Sequence, residues 1–169
     1  MTIEQVTIRD ALVTRDDKNT WRLYDAVGPN VAKCIEDFVI IPVDDTTGLA
    51  TAYTTTLVNA SSFGLVAGAL GGNAILTSDG AENDGVNMQL TGEAFYFAQD
   101  YPCYFGIRFA INDADQVDAV VGLSITDTTA ATAVSDGIYF RTVDESAALN
   151  FVVEKDSVED TIAAATLTD

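Results

Sequence analysis

Histidine is absent from this chain and basic residues are scarce. Eight Lys and Arg stand against 26 Asp and Glu in 169 residues, a formal net charge of −18. Without imidazole there is no Ser-His-Asp or Cys-His nucleophile system and no histidine metal ligand. Without clustered Lys and Arg a phosphate backbone cannot be neutralised, which excludes a general nucleic-acid binder, and an anionic membrane surface would repel the chain. Cysteine is limited to Cys34 and Cys103, too few for a disulfide scaffold and outside C-x-x-C spacing, so both are expected to be reduced, buried thiols. No apolar run approaches the ~18 residues of a membrane span. The opening MTIEQVTIRD has no apolar core of signal-peptide length, and the expectation is synthesis in the cytoplasm.

What is present is a globular composition, 48% apolar and 20% charged, long enough for one domain with an arm. The charge is uneven. Residues 1–35 balance Arg9, Arg15, Lys18, Arg22 and Lys33 against Glu4, Asp10, Asp16, Asp17 and Asp25, leaving three basic and 21 acidic residues in 36–169. A neutral N-terminal arm over 1–35 and an acidic body over 36–169 are the expected parts. The leader has alternating fragments (Val6, Ile8) and the lone Trp21. It either adds a strand to the body or docks on a neighbouring subunit.

The body reads as β-strand almost throughout. Alternation is clearest from Cys103 to Asn112, where Phe105, Ile107, Phe109 and Ile111 share one face and Tyr104, Gly106, Arg108 and Ala110 the other. It recurs at Val86/Met88/Leu90, Val121/Leu123/Ile125, Ile138/Phe140 and Leu149/Phe151/Val153, with Asn87/Gln89/Thr91, Val120/Gly122/Ser124, Tyr139/Arg141 and Asn150/Val152/Glu154 on the opposite faces. Turn clusters separate these runs at 78–80, 83–85, 113–115, 135–137 and 144–146. Many short two-faced strands, rich in Thr and Val, predict an all-β antiparallel sandwich. Ser61–Gly72 has a helix-like stretch, but its glycines favour a strand or loop.

Acidic chemistry is the next question. Glu154, Asp156 and Glu159 match E-x-D-x-x-E, a spacing that resembles the laminarinase-like glycoside hydrolases, in which two carboxylates share a strand face. Here Lys155 and Ser157 occupy positions that are apolar in that family, so a solvated hairpin turn is expected instead, and no enzyme activity. Asp79, Glu82, Asn83 and Asp84 in one loop, with Asp113 and Asp115 in another, offer oxygens for calcium but lack EF-hand order, and turn chemistry explains them. Gly68–Gly72 is not followed by the Lys-Ser/Thr of a phosphate loop. Cys103 has only Arg108 as a nearby cation and reads as a small buried hydrophobe. Tyr96, Tyr101, Tyr104 and Tyr139 are expected to pack against neighbours rather than form a sugar-binding face. No catalytic residue, metal ligand or cofactor emerges.

From Asn73 to Phe151 the order of short signatures is distinctive. It runs Ala74-Ile75-Leu76-Thr77, Ala81-Glu82-Asn83-Asp84-Gly85 leading into Val86–Leu90, then Phe95-Tyr96-Phe97 and Tyr104-Phe105-Gly106-Ile107-Arg108-Phe109. Val121-Gly122-Leu123-Ser124, Asp136-Gly137-Ile138-Tyr139-Phe140-Arg141 and Ala148–Phe151 complete it. This resembles the concanavalin A-like lectin (jelly-roll) modules among the structural proteins of tailed bacteriophages. The resemblance covers about half the chain and carries over no functional residue. It implies a virion protein that decorates or cements the outer capsid by binding the major capsid protein, as a homo-oligomer with a trimer expected. The arm, with Arg9, Arg15, Trp21 and Arg22, would then touch neighbouring capsid subunits. A lectin-like glycan-binding module of a tail or fibre is the alternative. Similar modules continue into further strands, so either residues 1–60 complete the sandwich or the natural chain extends beyond Asp169.

Overall fold

A computed structural model describes residues 4–8, 11–15, 21–26, 33–42, 52–68, 71–81, 84–92, 95, 97–100, 103–114, 116–126, 134–143 and 145–168. Among these residues there is no helix, and every strand pairing is antiparallel. Contacts divide the chain into two units, Met1–Glu36 with Asp100–Tyr104, and Asp37–Gln99 with Phe105–Asp169.

In the first unit β1 (Glu4–Ile8), β2 (Ala11–Arg15) and β3 (Trp21–Ala26) form a meander in chain order. Its register sets Arg15 opposite Trp21 and Thr14 opposite Arg22. These three strands pair with one another.

The second unit holds β4 (Tyr53–Leu57), β5 (Ser62–Leu65), β6 (Ala74–Thr77), β7 (Val86–Leu90), β8 (Val120–Ser124), β9 (Gly137–Val143), β10 (Ser146–Lys155) and β11 (Val158–Thr166). β4 pairs with β7, β5 pairs with β6, and the rest form a sheet in the order β11-β10-β9-β8. The run of three threonines in β4 is β-branched, as a half-buried pleat favours. The Gln89 side chain of β7 donates to the Ile125 carbonyl just past β8 at 3.3 Å, tying the β4–β7 pair to the larger sheet.

The segment with the clearest alternation departs from expectation. Residues 103–111 join no ladder, and 103–110 are all exposed. Alternation supplies two faces, but a strand also needs a backbone partner, and none of the described strands pairs with this one.

The core also sits on the face that the alternation marks as polar. Tyr139 and Val152, opposite each other in register, are 1% and 0% exposed and pack with Val134 and Val120. Gly122 makes this possible, since a Cβ there would collide with the Tyr139 backbone across the strand pair. The reverse face carries a cross-strand row of Ile162, Phe151, Phe140 and Val121. The Phe140 and Phe151 rings meet at 5.4 Å in a tilted pair, an arrangement worth about 0.5–1.5 kcal/mol beyond burial. Val121, Phe140 and Phe151 stay half-buried, while Ile162 is 62% exposed.

Candidate functional site

The β10–β11 hairpin turns on Asp156 and Ser157, both with φ in the left-handed region (53° and 62°). Two consecutive left-handed residues make a two-residue turn whose twist matches the strands, although Asn-Gly would adopt it with less strain. Neighbouring groups fix it. The Lys155 ammonium donates to Asp136 Oδ1 at 2.8 Å and Asp156 Oδ1 at 3.0 Å, while the Asp156 and Ser157 amides donate to Asp136 Oδ1 and the Ser135 carbonyl at 3.3 and 2.9 Å. The Lys155 hydrogen bond, followed by the Asp156 amide, holds the Asp136 carboxyl below its ordinary value.

This turn brings Glu154 and Glu159 directly opposite each other. The hairpin expected around the E-x-D-x-x-E motif is present, but it is not uniformly solvated. Glu154 is buried and accepts a hydrogen bond from the Tyr139 hydroxyl at 2.6 Å. Burial first, then this bond to Glu154, pushes the Tyr139 phenol well above its ordinary value. Glu159 receives both terminal nitrogens of Arg141, at 2.6 and 2.7 Å, in a bidentate pair. Arg141 lies 6.0 Å from the centre of the Tyr139 ring, at the limit of cation–π contact. Asp156, the middle carboxylate of the motif, faces Lys155 at the tip. Each carboxylate therefore meets a donor from its own chain, and the cluster acts as a polar clasp across β9, β10 and β11. Tyr139, read as one of several half-exposed tyrosines, is an anchor of the core. Its position two residues before Arg141 on an alternating strand was the available signal.

The other groups weighed in the sequence do not come together as a site among the described residues. In the 79–84 loop, Asp84 accepts from the Ala81 amide at 3.2 Å and from the Asn59 side chain, the bonding of a polar turn. Glu82, Asn83 and Asp115 lie outside the described residues, as do Tyr96 and Tyr101. Among the described residues no three Asp, Glu or Cys side chains converge as a metal site would require. Cys34 and Cys103 are free thiols and both exposed, which corrects the expectation of burial; the Cys103 segment joins no sheet that would cover it. Partial desolvation still raises the Cys103 thiol. Arg9 lies outside the described residues, and of Arg15, Trp21 and Arg22 the backbone alone is described.

One feature was illegible in the sequence. Phe105, Gly106, Ile107 and Phe109 line an open apolar cleft of about 260 Å³ with Phe140 of β9 and Leu149 of β10. In the same unit Val39, Ile40, Phe95, Phe97, Val158 and Ile162 also leave large parts of their side chains in solvent. Exposed apolar surface at this density marks contact with other macromolecules more often than chemistry. No protein-family model matches the chain, and neither a curated protein nor a solved structure shows significant similarity to it.

Proposed function

We propose that this is a structural virion protein of a tailed phage that decorates or cements the outer capsid surface by binding the major capsid protein. In this reading 36–169 is a jelly-roll, concanavalin A-like β-sandwich and 1–35 is the arm that reaches neighbouring subunits, with Arg9, Arg15, Trp21 and Arg22 in contact. The observation that carries it is the apolar surface left open on an acidic, all-β frame, exemplified by Val158 and Ile162 at 71% and 62% exposure. Such surface fits a protein that completes its burial on a partner, and a symmetric lattice multiplies weak contacts into firm attachment. The acidic body keeps a densely covered particle from sticking to nucleic acid or cell envelopes. The virion context comes from the resemblance of the short sequence signatures between Asn73 and Phe151 to such phage modules. The test is mass spectrometry of purified virions. The expected result is a copy number of the same order as the major capsid protein, and complete absence overturns the proposal.

A few copies per particle would instead favour the lectin-like reading. Exposed Phe95, Phe97, Phe105 and Phe109 give that alternative its support, since aromatic faces stack on sugar rings.

A further inference from the structure

We propose that copies of this chain pair head to tail, with β11 of one copy adding along the Phe105–Ile111 segment of the next. The inference rests on two elements of the second unit that have an open side among the described residues, and not on the virion reading. The first is β11, the edge of the four-stranded sheet. All nine of its residues are exposed, and no described strand lies beyond it. It contains no Lys, Pro or Gly, and its one irregularity is the bulge that leaves Ala164 unpaired between Ala163 and Ala165. Edges of this length are normally blunted, because their free amides and carbonyls template another strand.

The second element is the 105–111 segment. It has the strongest strand alternation in the chain, yet it makes no backbone hydrogen bond among the described residues. Phe105, Ile107 and Phe109 are already seated in the cleft against Phe140 and Leu149. Among the described residues its backbone has no strand partner, so it can pair while these side chains keep lining the cleft.

Charge and size select the occupant. Parallel pairing of β11 with β11 in register stacks Glu159 on Glu159 and Asp160 on Asp160, and antiparallel self-pairing offers neither acid a cation. The 105–111 segment offers Arg108, which is exposed and has no ion pair among the described residues. An antiparallel register with Arg108 opposite Asp160 also places Gly106 opposite Ile162 and Ala110 opposite Val158. The two large apolar side chains of β11, Val158 and Ile162 at 71% and 62% exposure, then face the two smallest residues of the segment, and nothing stands within 4 Å of where a Gly106 Cβ would be. Because the two surfaces differ, the contact is heterologous and closes into a ring or continues as a filament.

Sedimentation of the full chain tests this. A concentration-dependent oligomer is expected, weakened about tenfold by Arg108→Glu or by Asp160→Lys and restored in the R108E/D160K double variant. Both positions are exposed, and an unchanged β circular-dichroism spectrum verifies folding. A monomer at all concentrations, or single variants without effect, or a double variant that fails to recover, overturns the proposal. In a Cys34→Ser, Cys103→Ser background, mixing Gly106→Cys protein with Ile162→Cys protein should give a disulfide-linked pair under mild oxidation. Absence of that product overturns the register.

Discussion

Tyr139 concentrates the energetics of the described core in one side chain. Its ring is buried against Val134 and Val152, and its hydroxyl is a donor to the buried Glu154 carboxylate. Tyr139→Phe keeps the ring and removes the donor, so a charged acceptor is left without its partner at a cost of about 1–3 kcal/mol. Urea denaturation should read that loss as a lower midpoint with an unchanged slope. The raised phenol sets a sign for alkaline pH. The stabilisation is complete below the unfolded tyrosine pKa of about 10 and is lost as pH climbs through the higher folded value. In an ultraviolet phenolate titration of the six tyrosines, Tyr139 should ionise last, together with unfolding. Sequence made this residue visible but misassigned it. Alternation put Tyr139 opposite Ile138 and Phe140, and apolar residues ordinarily define the inner face. Gly122 reverses the outcome by letting the backbones approach on the tyrosine side.

At the scale of elements, β6, β7, β8, β9 and the β10–β11 hairpin follow the runs and turn clusters of the sequence, because each segment has both alternation and a neighbour to bond. The Cys103–Asn112 segment has the alternation alone, and a linear pattern does not encode which edge is free to receive it. The E-x-D-x-x-E spacing likewise predicts a turn but not its clasp, since Arg141 and Tyr139 arrive from another strand. The loop at Ser135 and Asp136 governs how firmly the hairpin tip is held. Asp136, held below its ordinary value by Lys155, contributes stability that is present above the unfolded aspartate pKa of about 3.9 and is lost as pH falls through its lower folded value. Hydrogen exchange at the Asp156 and Ser157 amides should accelerate as pH is lowered through that window, beyond the intrinsic pH effect. Asp136→Asn should show the faster exchange at neutral pH already. On the leader, deletion of residues 1–20 removes β1 and β2. Binding to capsids, measured by co-sedimentation, should be abolished while the β circular-dichroism signal of the body persists. Undiminished binding would assign attachment to the body alone.

For the whole molecule, composition decided which chemistry was excluded, and the structure redistributes what remains. The carboxylates that invited an enzymatic reading are engaged by their own chain, whereas among the described residues apolar side chains and the β11 edge stand open. An acidic surface and an apolar one coexist because the charges cluster in turns and strand tips, leaving the stretch from Thr161 to Thr168 without a charge. The proposed contacts with capsids and between copies would draw on that same supply of open surface. They are separable, since one is expected to fail with loss of the leader and the other with reversal of Arg108 or Asp160.

The uncharged tail of β11 has a consequence for storage and handling. A short segment rich in Thr and Ala with no Pro, no Gly and no charge has the composition of a cross-β seed. While the edge is covered, seeding is blocked. Arg108→Glu uncovers it without altering a residue of the strand, so concentrated solutions of that variant should form thioflavin-positive fibres sooner than the parent protein, and Ile162→Lys placed in the same variant should suppress them.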